Sequence, residues 1–150
     1  MKRIVLAVLL TFALAAVASA GEGVIRVKSP YSVVQTLDRF EKIVKSKGMT
    51  VFTRIDHAAG AARVGKALRP TQLLIFGNPK LGTLLMQSNQ TAAIDLPMKA
   101  LAWKDASGQV WLAYNDPAYL ARRHGITDRG AVVKKMQKAL GAFSRAATNP

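Results

Sequence analysis

The chain has 150 residues, 50% of them hydrophobic and 20% charged, and none is Cys. That length suits one domain with one core, and the apolar content excludes a disordered chain. Lys and Arg number 22 against 8 Asp and Glu, a formal charge of +14, while zero Cys excludes a disulfide framework, a thiolate nucleophile, a Cys-ligated iron–sulfur cluster and any Cys-based zinc site.

Residues 1–20 read as a secretory signal. Lys2 and Arg3 lead, Ile4 to Val17 is apolar except for Thr11, and Ala18-Ser19-Ala20 supplies small residues for cleavage after Ala20. The alternative is an uncleaved anchor, but the apolar run is short for a span of about 20 residues. No Cys follows it, which excludes a lipoprotein anchor. The expected product is residues 21–150, a basic periplasmic or secreted domain with no membrane span. Its basic residues are dispersed over separate elements, from Arg26 to Lys135. A nucleic-acid binder concentrates them in one stripe, so nucleic acid is not an expected partner.

Along the chain, Ile25 to Lys28 alternates and predicts a first strand. Ser32 and Gln35 form a capping box for a helix with Val33, Leu37, Phe40 and Val44 on one face; Gly48 stops it. Met49 to Ile55 reads as a strand, with Met49, Val51, Thr53 and Ile55 on one side and Phe52 and Arg54 on the other. Asp56 caps an expected Ala-rich helix from His57 to Leu68, ended by Arg69-Pro70. Gln72 to Phe76 predicts a buried central strand, and Asn78-Pro79 opens a helix to Gln87. After Leu96-Pro97, Met98 to Trp103 and Val110 to Tyr114 form a hairpin around Asp105-Ala106-Ser107-Gly108. Asp116-Pro117 opens a short helix ending at Gly125; Val132, Met136, Leu140 and Phe143 face the last one, and Thr148-Asn149-Pro150 should fray. This order predicts an α+β fold, with helices on one face of a mainly antiparallel sheet.

Few motifs carry chemistry. Gly60 to Ala67 nearly spells a phosphate-binding loop, but Ala67 stands where a magnesium-binding hydroxyl is needed. The only histidines, His57 and His124, lack metal-ligand spacing, although Met49, Met86 and Met98 could join a mixed site. His57 shares a predicted helical face with Ala61, Val64 and Leu68, which favours packing. No G-x-S-x-G elbow is present. Asp56 and Asp95 have the weakest surface explanations among the carboxylates. The richest polar segments are Arg54-Ile55-Asp56-His57, Phe76-Gly77-Asn78-Pro79-Lys80 and Asp95-Leu96-Pro97. Such strand ends collect ligand sites, though each residue could equally cap a turn.

These same segments resemble a bacterial family, domain of unknown function 302. The matching stretches are Thr53 to Ala58, Leu74 to Thr83, Ile94 to Lys99 and Tyr114 to Pro117. The resemblance implies a β-α-β(4)-α fold, like one half of the TATA-binding-protein saddle with added short helices, and a homodimer. It implies no DNA binding and supplies no reaction, cofactor or substrate.

The leading expectation is therefore an exported basic domain that binds a small ligand, an anionic one among the candidates, or an envelope component. Asp56 and Asp95 would accept hydrogen bonds, Asn78 would orient, Lys80 would attract an anion and His57 would titrate or ligate. A second expectation is a hydrolase using His57 with Asp56 or Asp95. A third is an interaction protein with no small-molecule site, for which Trp103 and Trp111 mark an apolar patch or dimer face.

Overall fold

The computed structural model describes residues 23–150, so the expected signal peptide and its cleavage lie outside the described residues. The first strand, β1 (Val24–Ser29), leads into α1 (Val33–Ser46). The Ser32 hydroxyl accepts from Gln35 N, and the Gln35 side chain accepts in turn from Ser32 N. This reciprocal cap fixes where α1 begins. Next come β2 (Thr50–Asp56), α2 (His57–Arg63), β3 (Thr71–Gly77) and α3 (Pro79–Ser88). A short 3-10 helix (Gln90–Ile94) follows, then β4 (Met98–Lys104), β5 (Val110–Asn115), α4 (Pro117–Arg123) and α5 (Gly130–Thr148). Without the short helices this is the expected β-α-β(4)-α skeleton.

The five strands form one antiparallel sheet in the order β1-β5-β4-β3-β2. Helices α1 and α5 pack on one face. Between them and the sheet lie Leu37, Phe40 and Val44 of α1, Leu74 and Phe76 of β3, Leu112 of β5, and Leu140 and Ala147 of α5. The Phe40 and Phe76 rings meet edge to face, with centroids 5.2 Å apart. Large side chains that lose all contact with water contribute about 1.5–3 kcal/mol each, so this layer holds the fold together.

Cross-strand register places a different row on the opposite face. Trp103 pairs with Trp111, Leu101 with Leu73 and Ala113, and Ile75 with Lys99. The two indoles stack with centroids 6.3 Å apart, and both are half-exposed.

Three expectations need correction. Helix α2 ends at Arg63 rather than Leu68, because Gly65 takes a φ of +68° that no helix can continue. Its expected packing face is absent: no α2 residue is buried, and Val64 and Leu68 are exposed. In β2 a bulge between Val51 and Thr53 breaks the alternation. Val51 therefore lies opposite buried Phe76, whereas Thr53 lies opposite Ile75 on the other face. Thr148 does not fray; it is buried, and Arg39 donates to Ala147 O and Asn149 O at 2.8 and 2.7 Å.

Candidate functional site

An apolar cleft of about 260 Å³ opens where β3 stops and β4 begins. The chain makes it by turning sharply at Asn78. The Asn78 side-chain oxygen accepts from Lys80 N at 2.9 Å, and Pro79 occupies the first turn of α3, where its missing N–H costs nothing. Leu81, Gly82, Thr83 and Met86 of α3 then form one wall. Met136, Ala139, Leu140 and Phe143 of α5 form a second, and Ala93, Leu96, Pro97 and Met98 a third. The Leu96–Pro97 peptide is cis. Met49 and Phe52 close the remaining side. No charged side chain lines the cleft, and Asn78 and Thr83 are the polar residues on its wall.

Phe52 stands where the β2 bulge re-aims it, and it is 53% exposed. A bulge does this by adding a residue to one strand, which rotates its side chain out of the pleat. Gly77 relieves crowding at Pro97: a Cβ there would sit 3.3 Å from Pro97 Cβ, and at an ordinary 3.7 Å from Phe52 Cε2.

A polar brace stands beside the cleft. His124 is buried; its Nε2 lies 2.6 Å from Asp95 Oδ2 and its Nδ1 lies 2.9 Å from Thr91 Oγ1. Asn89 Nδ2 donates to His124 O at 2.8 Å, and Arg123 donates to Asp95 Oδ1 at 3.4 Å. Carboxylate, imidazole and hydroxyl in this order could activate a hydroxyl. Thr91 Oγ1 and Thr91 N, however, both donate to Asn89 Oδ1, at 2.8 and 3.0 Å, so the hydroxyl proton is turned away from the imidazole and the N–H is not aimed at a developing oxyanion. The network ties the 3-10 helix and Asp95 to the end of α4, behind the wall formed by Ala93 and Leu96.

The five residues singled out in the sequence do not converge. Asp56 caps α2 by accepting from Ala59 N at 2.9 Å, and it accepts from Gln72 Nε2 at 2.9 Å. The Ala59 N–H and then the Gln72 amide hold its carboxyl below the usual range. His57 is exposed at the start of α2. Asp56 pairs with Gln72 at the start of β3, six residues before Asn78, or about 20 Å of strand away. Asn78 borders the cleft, Lys80 is exposed outside its lining, and Asp95 is held by His124. His57 and Asp95 thus belong to different parts of the molecule. Among the described residues no group of three or more His, Cys, Asp or Glu is placed to hold a metal ion.

Phe52 and Met136 were not singled out for the site from sequence. All four methionines among the described residues line the cleft: Met49, Met86, Met98 and Met136. Their enrichment was visible only as scattered single residues, and nothing local in the sequence marks the bulge.

Comparison with known proteins bears on this geometry in three ways. The family model described as Domain of unknown function DUF302 matches residues 25–143. A protein of Brucella suis named fluoride-specific ion channel FluC 1 is 48% identical over 124 residues, which cover 82% of this chain and 49% of the relative. A Brucella abortus protein of the same name is also 48% identical, with 46% of its length covered, so the chain spans about half the length of these curated relatives. The crystal structure of an uncharacterised conserved DUF302 protein from Bacillus stearothermophilus superposes with a TM-score of 0.76 at 17% identity. That match covers 85% of this chain and 99% of the other, and it shows the fold.

Proposed function

The chain belongs to the DUF302 family, and on that premise we propose that it is an exported binding domain whose apolar cleft takes a small neutral molecule. The observation that carries this reading is the lining: about 260 Å³ of open space walled by apolar side chains, with no charged group among them. A charged ligand would lose its hydration there and gain no counter-charge. A neutral apolar ligand loses little and removes exposed Phe52 from water. Lys80 lies outside the lining, so an anionic ligand does not follow from this cleft.

The name these relatives carry does not change this reading. The described residues hold no helix long and apolar enough to cross a membrane. We assign the channel named in those relatives to the half of their length that this chain does not match.

The half-exposed sheet face supports a second proposal, pairing with another copy. Stacked Trp103 and Trp111, beside Leu101 and Ile75, give it an apolar centre of the kind that partners cover. Sedimentation equilibrium tests this: the protein should be a dimer, and Leu101→Asp should make it a monomer. A monomeric parent protein would end that proposal.

The cleft reading is tested by native mass spectrometry of protein isolated without denaturant, beside an Ala139→Phe variant. Ala139 lines the cleft, so the added ring fills it. A small bound mass carried by the parent and lost in the variant supports the reading. An equal bound mass on both places the ligand elsewhere and overturns it.

A further inference from the structure

We infer that the cleft selects a neutral planar aromatic ligand, stacked against Phe52; the inference rests on the cleft being the binding site. An aliphatic ligand needs only apolar walls, which Leu and Ile supply with better-defined rotamers. This cleft instead gathers every methionine among the described residues, brought from four separate parts of the chain. Thioether sulfur is polarisable and makes favourable contacts with aromatic ring edges.

Phe52 supplies the face. Phe52 is 53% exposed, beside a cleft whose other walls are mainly apolar. The β2 bulge places it at the cleft mouth, where it lines the opening with Met49 and Pro97. A ring so placed offers an offset-stacking surface to an incoming flat molecule. The absence of charge in the lining requires a neutral ligand, and Asn78 and Thr83 suit one hydroxyl or carbonyl on its edge.

Hydrophobicity alone makes the opposite prediction, which gives the test its force. Isothermal titration of the purified protein would compare 1-naphthol with decahydro-1-naphthol, the saturated and more apolar form of the same skeleton. The aromatic alcohol should bind about tenfold more tightly. Phe52→Leu should abolish that preference without changing the thermal melt, since the ring is half in water, and Phe52→Tyr should keep it. Naphthalene-1-carboxylate should bind more weakly than 1-naphthol. Equal or tighter binding of the saturated alcohol, or a Phe52→Leu variant that retains the preference, overturns the aromatic inference and leaves the cleft reading standing. If neither alcohol binds the parent protein more tightly than Ala139→Phe, both fall.

Discussion

The two ends of strand β4 are built on opposite principles. At one end, Asp105 closes the hairpin to β5 by accepting from Ser107 N at 2.9 Å, Ser107 Oγ at 2.7 Å, Gln109 N at 3.0 Å and Trp111 Nε1 at 2.8 Å. Gly108 follows with a φ of +87°, a conformation that favours glycine in a tight turn. At the other end, Met98 opens onto a cleft with no charged wall and about 260 Å³ left unfilled. The first end is chemically complete within the chain: its acceptor already has its donors. The second leaves apolar surface that the chain does not cover. Hydrogen bonds complete the first end, and the second keeps apolar surface open, which is the ground for the proposed ligand site.

The largest effect is expected in the core layer behind the cleft end. Phe76 is fully buried, edge to face with Phe40, and near the cleft end of β3. Phe76→Ala should cost about 3–5 kcal/mol in denaturant unfolding, since the cavity adds to the lost burial. A loss below about 1 kcal/mol would show that this layer does not hold the sheet.

The next test acts on the cleft wall alone. His124→Ala leaves the half-buried Asp95 carboxylate without its imidazole and Thr91 without its ring partner. A loss of about 2 kcal/mol is expected, together with weaker ligand binding as the Ala93–Leu96 wall loosens. Unchanged binding in a stably folded variant would show that the brace and the cleft are independent.

A smaller effect reads the hairpin end by pH. The Trp111 N–H, then the Ser107 hydroxyl, hold the Asp105 carboxyl down to about 2, against an ordinary value of 3.8. A carboxyl depressed in the folded state stabilises the fold fully above its unfolded pKa. That contribution declines as pH falls through the window from 3.8 to about 2. Tryptophan fluorescence should therefore titrate with a midpoint near 2, and Trp111→Phe should raise the carboxyl's midpoint, followed by NMR, toward 3.8. A midpoint that stays put after removal of the indole would contradict this assignment. The smallest effect is expected at Lys80, which lies outside the lining: Lys80→Ala should leave cleft affinity within about twofold, where a large loss would reinstate an anion-binding role.

Much of the fold was legible because its causes are local. The Ser32–Gln35 box, the Asn78 cap before Pro79 and the Asp105 turn each act within a few residues, and each occurs where the sequence indicates. The candidate site was less legible. Asp56, Asn78 and Asp95 drew attention as polar residues at strand ends, yet Asp56 caps a helix, Asp95 braces one and Asn78 alone borders the cleft. Looking for polar residues passed over the cleft, whose walls are apolar.

By itself the sequence determined the class of fold, the order of its main elements and the helix faces that form the core, because periodicity and capping are short-range physics. It also carried the family resemblance that the comparison with known proteins bears out. Only the tertiary structure decided that Met49, Met86, Met98 and Met136 share one cleft, that a bulge turns Phe52 toward it, and that Asp95 belongs to His124 rather than His57. Those facts depend on strand register and on helix docking over long sequence separations. Both are set by the summed burial of the whole chain, and no local pattern encodes them.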